Sequence, residues 1–130
     1  MTTDHNTAAR PFQYALAVQH AASTLGFDWP DITGVLDKIA EELEEMRAAH
    51  ACGDIAHMRN ELGDLLFAAV SAARFLDEDP EHCVAEATTR FENRLDRVKQ
   101  LAAAQGLELT TCSAESLDRL WEQAKQLASQ

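Results

Sequence analysis

The 130-residue sequence predicts an all-α protein, a bundle of about five helices that forms a single domain over residues 1–130. Helix breakers are sparse, because the chain has only three prolines and five glycines. The segments between them are rich in Ala, Leu, Glu, Gln and Arg, all good helix formers. No stretch alternates apolar and polar residues as a half-buried strand does. Residues 1–10 precede the first expected helix and are expected to form a flexible tail.

The sparse prolines and glycines mark where the first two helices begin and end. The first helix is expected from Pro11 to Leu25, because proline suits a first helical turn and Gly26 suits the residue after the last turn. The second helix is expected from about Thr33 to Cys52, with Gly53 ending it in the same way.

The remaining three helices are bounded by capping residues. Asp54 is expected to cap a third helix that runs to about Leu76. Asp79 precedes Pro80 as the cap of a fourth helix, which ends before Gly106. Ser113 begins a fifth helix that continues nearly to the C-terminus. Long helices joined by short connections pack as antiparallel neighbours, which gives a bundle.

An apolar stripe on each of the three long helices predicts the core. The stripe of the second helix is Val35, Leu36, Ile39, Leu43 and Met46. That of the third is Ile55, Met58, Leu62, Leu65, Leu66, Ala69, Ala72, Ala73 and Leu76. That of the fourth is Val84, Ala87, Phe91, Leu95, Val98 and Ala102. A core this small is better completed by a second copy of the chain, so we expect an oligomer.

The charge balance excludes several classes of partner. The chain has 22 acidic and 11 basic side chains, a formal net charge of −11. Such a surface repels phosphate backbones and anionic lipids, so neither nucleic acid nor a membrane is an expected partner. The N-terminus lacks the apolar core of a signal peptide, which predicts a cytoplasmic protein. The three cysteines are expected to be free thiols buried as small apolar residues.

Two pairs of carboxylates lie at the edges of neighbouring apolar stripes. Glu42 and Glu45 share a face of the second helix, and Glu61 and Asp64 share a face of the third. If these helices are antiparallel, the pairs meet, and four carboxylates at one place need a cation to balance them. Hard oxygen ligands suit Mg²⁺, with Mn²⁺ as a substitute. Solvated acidic faces without a metal remain the alternative.

Basic residues fall where they can meet an anion held by that cation. Arg94 lies inside the apolar stripe of the fourth helix, with Arg90 one turn away. Lys38 lies one turn before Glu42. An arginine in an apolar stripe needs a carboxylate or an anionic ligand, so the spacing allows either ion pairs within the bundle or a bound polyphosphate.

The sequence resembles the MazG nucleoside triphosphate pyrophosphohydrolases, especially the C-terminal of the two domain copies in longer members. The resemblance covers about Phe12 to Lys125. It rests on the segments GFDWPD (Gly26–Asp31), VLDKIAEELEE (Val35–Glu45), ELGDLLFAAV (Glu61–Val70), RFENR (Arg90–Arg94) and LWEQAK (Leu120–Lys125). It implies a helical protein that acts as a homodimer or homotetramer. The implied reaction is Mg²⁺-dependent hydrolysis of nucleoside triphosphates to the monophosphate and pyrophosphate, for pool cleansing or control.

The resemblance also implies roles for individual residues. Metal ligands would be Glu42, Glu45, Glu61 and Asp64, with Glu41 as an accessory catalytic carboxylate. Phosphates and nucleotide would be held by Lys38, Arg90, Arg94, Trp121 and Lys125. The sequence departs from the family pattern at Ser71, where Asn is usual, and at Arg90, where Lys is usual. Both departures bear on substrate preference, since serine is shorter and arginine binds phosphate with a different geometry.

Two alternatives follow from the residues alone. A non-catalytic acidic helical module for protein interaction would use the charges only for solubility and ion pairing. A ferritin-like di-iron bundle needs Glu-x-x-His pairs, and no glutamate of this sequence has histidine three residues later. Trp29 is expected in the core, as most lone tryptophans are.

Overall fold

The computed structural model describes residues 10–128, which form five α-helices and a short 3-10 helix without a strand. The helices are α1 (Pro11–Thr24), α2 (Ile32–Ala51), α3 (Ile55–Phe75), α4 (Pro80–Ala104) and α5 (Ala114–Ala128), with the 3-10 helix at Leu109–Thr111. The predicted all-α class is confirmed, and each helix lies within two residues of its expected bounds where both ends were predicted. The expected tail lies outside the described residues except for Arg10.

Side-chain caps explain why four of the helices begin where they do. The Oδ1 atom of Asp31 accepts from Thr33 N at 2.8 Å, and that of Asp54 accepts from His57 N at 3.0 Å. At α4, Asp79 Oδ1 accepts from Glu81 N at 2.9 Å. At α5, Ser113 Oγ accepts from Ser116 N at 3.1 Å. Each acceptor satisfies a backbone N–H that has no partner inside the helix, which fixes the start locally.

The helix ends use the left-handed backbone region. Gly26, Gly53 and Gly106 follow α1, α2 and α4 with φ of 84°, 69° and 67°. Glycine adopts this conformation without the clash that a Cβ atom brings. Asp77 does so after α3, with φ of 55°, which aspartate tolerates better than most residues. The three glycines therefore end the helices as the sequence predicts.

The chain divides into two compact units, one up to Cys83 and one from Val84. In the first unit, α2 and α3 make the most extensive contact, and their short connection makes them antiparallel. Helix α1 packs on α3, where Gln19 Nε2 donates to Phe67 O at 2.9 Å. The first unit is therefore a hairpin of two long helices with a third helix against one of them.

The buried face of the first unit differs from the predicted stripes. On α2 the buried residues are Val35, Glu42 and Ala49, whereas Leu36 and Leu43 are exposed. The leucines lie about 100° around the helix from the buried line, because each residue turns the helix by that angle. The stripe prediction was wrong for these two residues. It was also wrong for five exposed residues of the first unit, Ile55, Leu62, Leu66, Ala69 and Leu76, and for three exposed residues of the second unit, Val84, Ala87 and Phe91.

The second unit has a small core of its own. Val98 and Ala102 of α4 pack with Leu120 and Ala124 of α5, all at most 4% exposed. Leu101, Leu109 and Trp121 lie around this cluster partly buried. The predicted stripe of the fourth helix is thus confirmed at Val98 and Ala102, its C-terminal end.

Two features bear on the environment of the protein. The cysteines are free, as predicted, but Cys52 and Cys83 are exposed and Cys112 is half-buried. The expectation of buried thiols was wrong because Cys52 lies just after the last residue of α2 and Cys83 lies in the exposed part of α4. Over residues 10–128, no helix combines the length and the apolar composition that a bilayer crossing requires.

Candidate metal centre

Helices α2 and α3 bring three carboxylates together in the first unit. Glu42 and Glu45 lie one turn apart on α2, and Glu61 lies on the facing helix. A carboxylate oxygen of each can be chosen so that all three lie within 4.8 Å of one another. Three anionic oxygens at these separations can converge on one divalent cation.

Two of these carboxylates are buried, and each is held at one oxygen by a basic residue four positions earlier. Lys38 Nζ lies 3.0 Å from Glu42 Oε1, and His57 Nε2 lies 3.0 Å from Glu61 Oε1. The whole residues Glu42 and Glu61 are 4% and 7% exposed. With both carboxylates ionised, their buried Oε2 atoms find no donor among the described residues. Buried anionic oxygens without a partner are costly, and a cation satisfies them, so the residues present fit a metal.

The carboxylates of this cluster lie close enough together to shift each other's pKa. The pKa of Glu61 rises to about 7, because a hydrogen bond to Glu42 and burial favour its protonated form, and Glu45 adds to this. His57 opposes the rise. The pKa of Glu42 is lowered, because Glu61 and then Lys38 hydrogen-bond to its ionised form. One proton on Glu61 thus relieves the repulsion that a cation would relieve in its place.

The two other predicted acidic residues lie beside this group rather than in it. Asp64 is exposed, one turn after Glu61 on α3, and does not belong to the group of three. Glu41 is exposed and lies 3.4 Å from Lys38 Nζ. The predicted site therefore divides into a buried group of Glu42 and Glu61 with Glu45 at its edge, and two outer carboxylates.

His57 is a residue of this site that the sequence analysis missed. Its spacing of four from Glu61 on one helix was the available signal, since such pairs share a face. The position of the histidine just after a turn favours a solvated imidazole, and the structure leaves its side chain 51% exposed although Nε2 contacts Glu61.

The second unit holds the other predicted basic residues and Trp121. The guanidinium carbon of Arg94 lies 5.1 Å from the centre of the Trp121 ring, and Phe91 packs on that ring at 5.3 Å. A cation on an aromatic face explains how an arginine can lie in an apolar stripe. Its Nε is nevertheless buried without an acceptor among the described residues. Arg90 is exposed, and Lys125 Nζ lies 3.3 Å from Glu122 Oε1.

A pocket in the first unit lies between α1, α3 and the loop after α1. Its volume is about 490 Å³, and its lining includes Phe27, Trp29, Phe67 and Ser71. Trp29 is 46% exposed, so its expected place in the core was wrong: its ring lies against Gly34 and borders the pocket.

An ion pair fixes the loop beside this pocket. Arg74 of α3 donates to both carboxylate oxygens of Asp28, at 2.6 and 2.8 Å. The two side chains are 15% and 20% exposed. Two parallel hydrogen bonds set the orientation of the pair as well as its strength, so the loop has a defined position.

An all-α protein with a buried carboxylate cluster across a helical hairpin defines a class with known members. A family model for the MazG nucleotide pyrophosphohydrolase domain matches residues 31–100. The chain belongs to this family.

The relatives that cover 85% of this chain include two from different organisms. One is the nucleoside triphosphate pyrophosphohydrolase/pyrophosphatase MazG of Thermotoga maritima, 42% identical over 111 residues. The other is the nucleoside triphosphate pyrophosphohydrolase of Escherichia coli K12, 38% identical over 113 residues. The chain spans only 42% and 43% of the length of these relatives.

Proposed function

We propose that this protein hydrolyses nucleoside triphosphates to the monophosphate and pyrophosphate with Mg²⁺, in the cytoplasm, for cleansing or control of the nucleotide pool. The observation that carries the proposal is the group Glu42, Glu45 and Glu61, with unpartnered buried oxygens on two of its members. Membership of the family and the names of the two relatives support it. Asp64 is proposed to join the group as a fourth ligand.

The chemistry is the attack of water on the α-phosphorus. Mg²⁺ held by the carboxylates, or Mn²⁺ in its place, would screen phosphate charge and acidify water. A new P–O bond forms to the water oxygen while the bond from the α-phosphorus to the bridging oxygen breaks. Pyrophosphate leaves with that oxygen, and Glu41 or Glu45 takes the proton of the water.

The basic residues are proposed to bind the phosphates. Arg90, Arg94 and Lys125 would stabilise the charge that grows on the leaving pyrophosphate, and Trp121 would contact the nucleotide. The buried Nε of Arg94 without an acceptor supports this role. Lys38, which lies against Glu41 and Glu42, would divide its contacts between these carboxylates and a phosphate.

We propose that the pocket at Trp29 takes the nucleoside part of the substrate. Phe27, Trp29 and Phe67 offer apolar surface there, which suits the face of a base. Ser71, which also lines the pocket, lies seven residues after Asp64 on α3, about 10 Å along the helix. That separation is of the order that the sugar and phosphates of a nucleotide span. Ser71 in place of the usual asparagine would then bear on which base or sugar is preferred.

A homodimer or homotetramer is the proposed assembly. Leu36 and Leu43 of α2 and Leu62 and Leu66 of α3 are 42–53% exposed. A second copy that covers them would remove their apolar surface from water. Sedimentation at micromolar concentration should give a dimer or larger species, and Leu43→Glu should weaken it. A monomeric wild type would contradict the assembly.

The test of the activity is pyrophosphate release from a panel of ribo- and deoxyribonucleoside triphosphates with Mg²⁺ or Mn²⁺. Glu42→Gln should lower the rate at least about 100-fold, because it removes a metal ligand. The matched control is Glu44→Gln on the same helix, since Glu44 is 77% exposed and lies outside the group. Equal rates for wild type and Glu42→Gln would exclude the metal role. A protein without pyrophosphate release and without a response to Mg²⁺ would fit the acidic interaction module.

A further inference from the structure

The two buried carboxylates of the cluster are held in matching ways. Glu42 has Lys38 on its Oε1 atom and Glu61 has His57 on its Oε1 atom, each at 3.0 Å and each from four residues earlier on the same helix. In both residues the Oε2 atom is the one left buried without a donor. On both helices, therefore, a basic residue holds one oxygen of the carboxylate and the other oxygen is left for a further partner.

The position of His57 is itself fixed by the start of α3. Asp54 caps this helix by accepting from the backbone N–H of His57 at 3.0 Å. The ring then reaches Glu61 one turn later, where side chains four residues apart share a face. The His57 side chain is half-exposed, so little of its ring has to be packed in the core.

We propose that His57 is a positioning residue of the metal site, which holds Oε1 of Glu61 so that Oε2 faces the cation. This inference rests on the proposed metal role of Glu61. A carboxylate on a free χ3 torsion can turn either oxygen toward the metal, and a donor on one of them removes that freedom. Lys38 supplies the same restraint to Glu42. His57 does not belong to the group of potential ligands, so its part is orientation and not coordination.

The test compares His57→Ala with His57→Gln by the thermal stabilisation that Mg²⁺ gives the protein without nucleotide. Glutamine places its amide nitrogen as many bonds from Cα as Nε2 of histidine, so it can donate to the same oxygen. The Mg²⁺ concentration for half of the stabilisation should rise about 10-fold in His57→Ala. It should return to near the wild-type value in His57→Gln. His20→Ala, which removes an exposed imidazole from α1, should leave it unchanged.

Other outcomes separate this inference from the proposed function. Unchanged or tighter Mg²⁺ binding in His57→Ala overturns the positioning role and leaves the metal site standing. A His57→Gln variant as weak as His57→Ala also overturns it. If wild type binds Mg²⁺ but releases no pyrophosphate, the proposed activity fails while the effect of His57 on metal binding is still measured. The melting temperature of each variant in EDTA checks that it folds. A merely structural role of His57 would lower this melting temperature instead of weakening Mg²⁺ binding.

Discussion

Glu42 and Glu61 lie on neighbouring antiparallel helices and present buried carboxylates to the same small volume. Both Oε2 atoms lack a donor among residues 10–128, and the pKa shifts of the two groups have opposite signs. With its pKa near 7, Glu61 keeps part of its proton near neutral pH, where a separate carboxylate would hold none. This arrangement links stability, pH and metal binding.

The contribution of Glu61 to the stability of the metal-free protein should fall as the pH rises from about 4.5 to about 7. Glu61 has a raised pKa, so in this window the folded chain binds more protons than the unfolded chain. The free energy of unfolding then falls with rising pH, and the contribution is lost above the folded pKa of about 7. Melting temperatures in EDTA should fall more steeply in wild type than in Glu61→Gln. Identical slopes in the two proteins would show that Glu61 does not hold this proton.

Replacement of Gly34 and of Gly63 by alanine should change the free energy of unfolding in opposite directions. A Cβ atom on Gly34 would lie 2.7 Å from the Trp29 ring, whereas nothing lies within 4 Å of one on Gly63. Gly34→Ala should destabilise by about 1–3 kcal/mol through overpacking. Gly63→Ala should stabilise by up to about 1 kcal/mol through helix propensity. Urea unfolding measures both, and a stabilised Gly34→Ala would mean that Trp29 does not pack there.

Loss of the paired hydrogen bonds between Arg74 and Asp28 should affect substrate binding more than turnover. Arg74→Lys keeps the charge but not the fork that binds both oxygens, so the loop that borders the pocket loses its fixed position. The KM for the nucleotide should rise while kcat changes little. Arg59→Lys, an exposed position on the same helix, is the control. A fall of kcat alone in Arg74→Lys would mean that Arg74 affects turnover and not substrate binding.

The helix bounds were predictable because caps and glycine ends act over a few residues. Asp54, Asp79 and Ser113 do locally what their sequence positions indicate. The meeting of Glu42 with Glu61 was predictable as well, since it needs only adjacent antiparallel helices.

The rotation of each helix about its axis was not predictable from one stripe. This rotation depends on the side chains of the neighbouring helix that pack against α2. There, Val35 and Ala49 are buried, whereas Leu36 and Leu43 are not. The stripes placed Glu42 at the border of the core, but the structure buries it. The contact of His57 with Glu61 also depends on a rotamer, which spacing allows but does not fix.

Binding of a divalent cation by Glu42 and Glu61 can be measured by Mn²⁺ titration followed by electron paramagnetic resonance. Physiological salt limits loose binding to a protein of charge −11. Wild type and Glu44→Gln should remove the signal of free Mn²⁺ in proportion to protein, and the double variant Glu42→Gln/Glu61→Gln should not. If wild type leaves the free Mn²⁺ signal undiminished, or if the double variant binds Mn²⁺ equally well, Glu42 and Glu61 do not hold the cation.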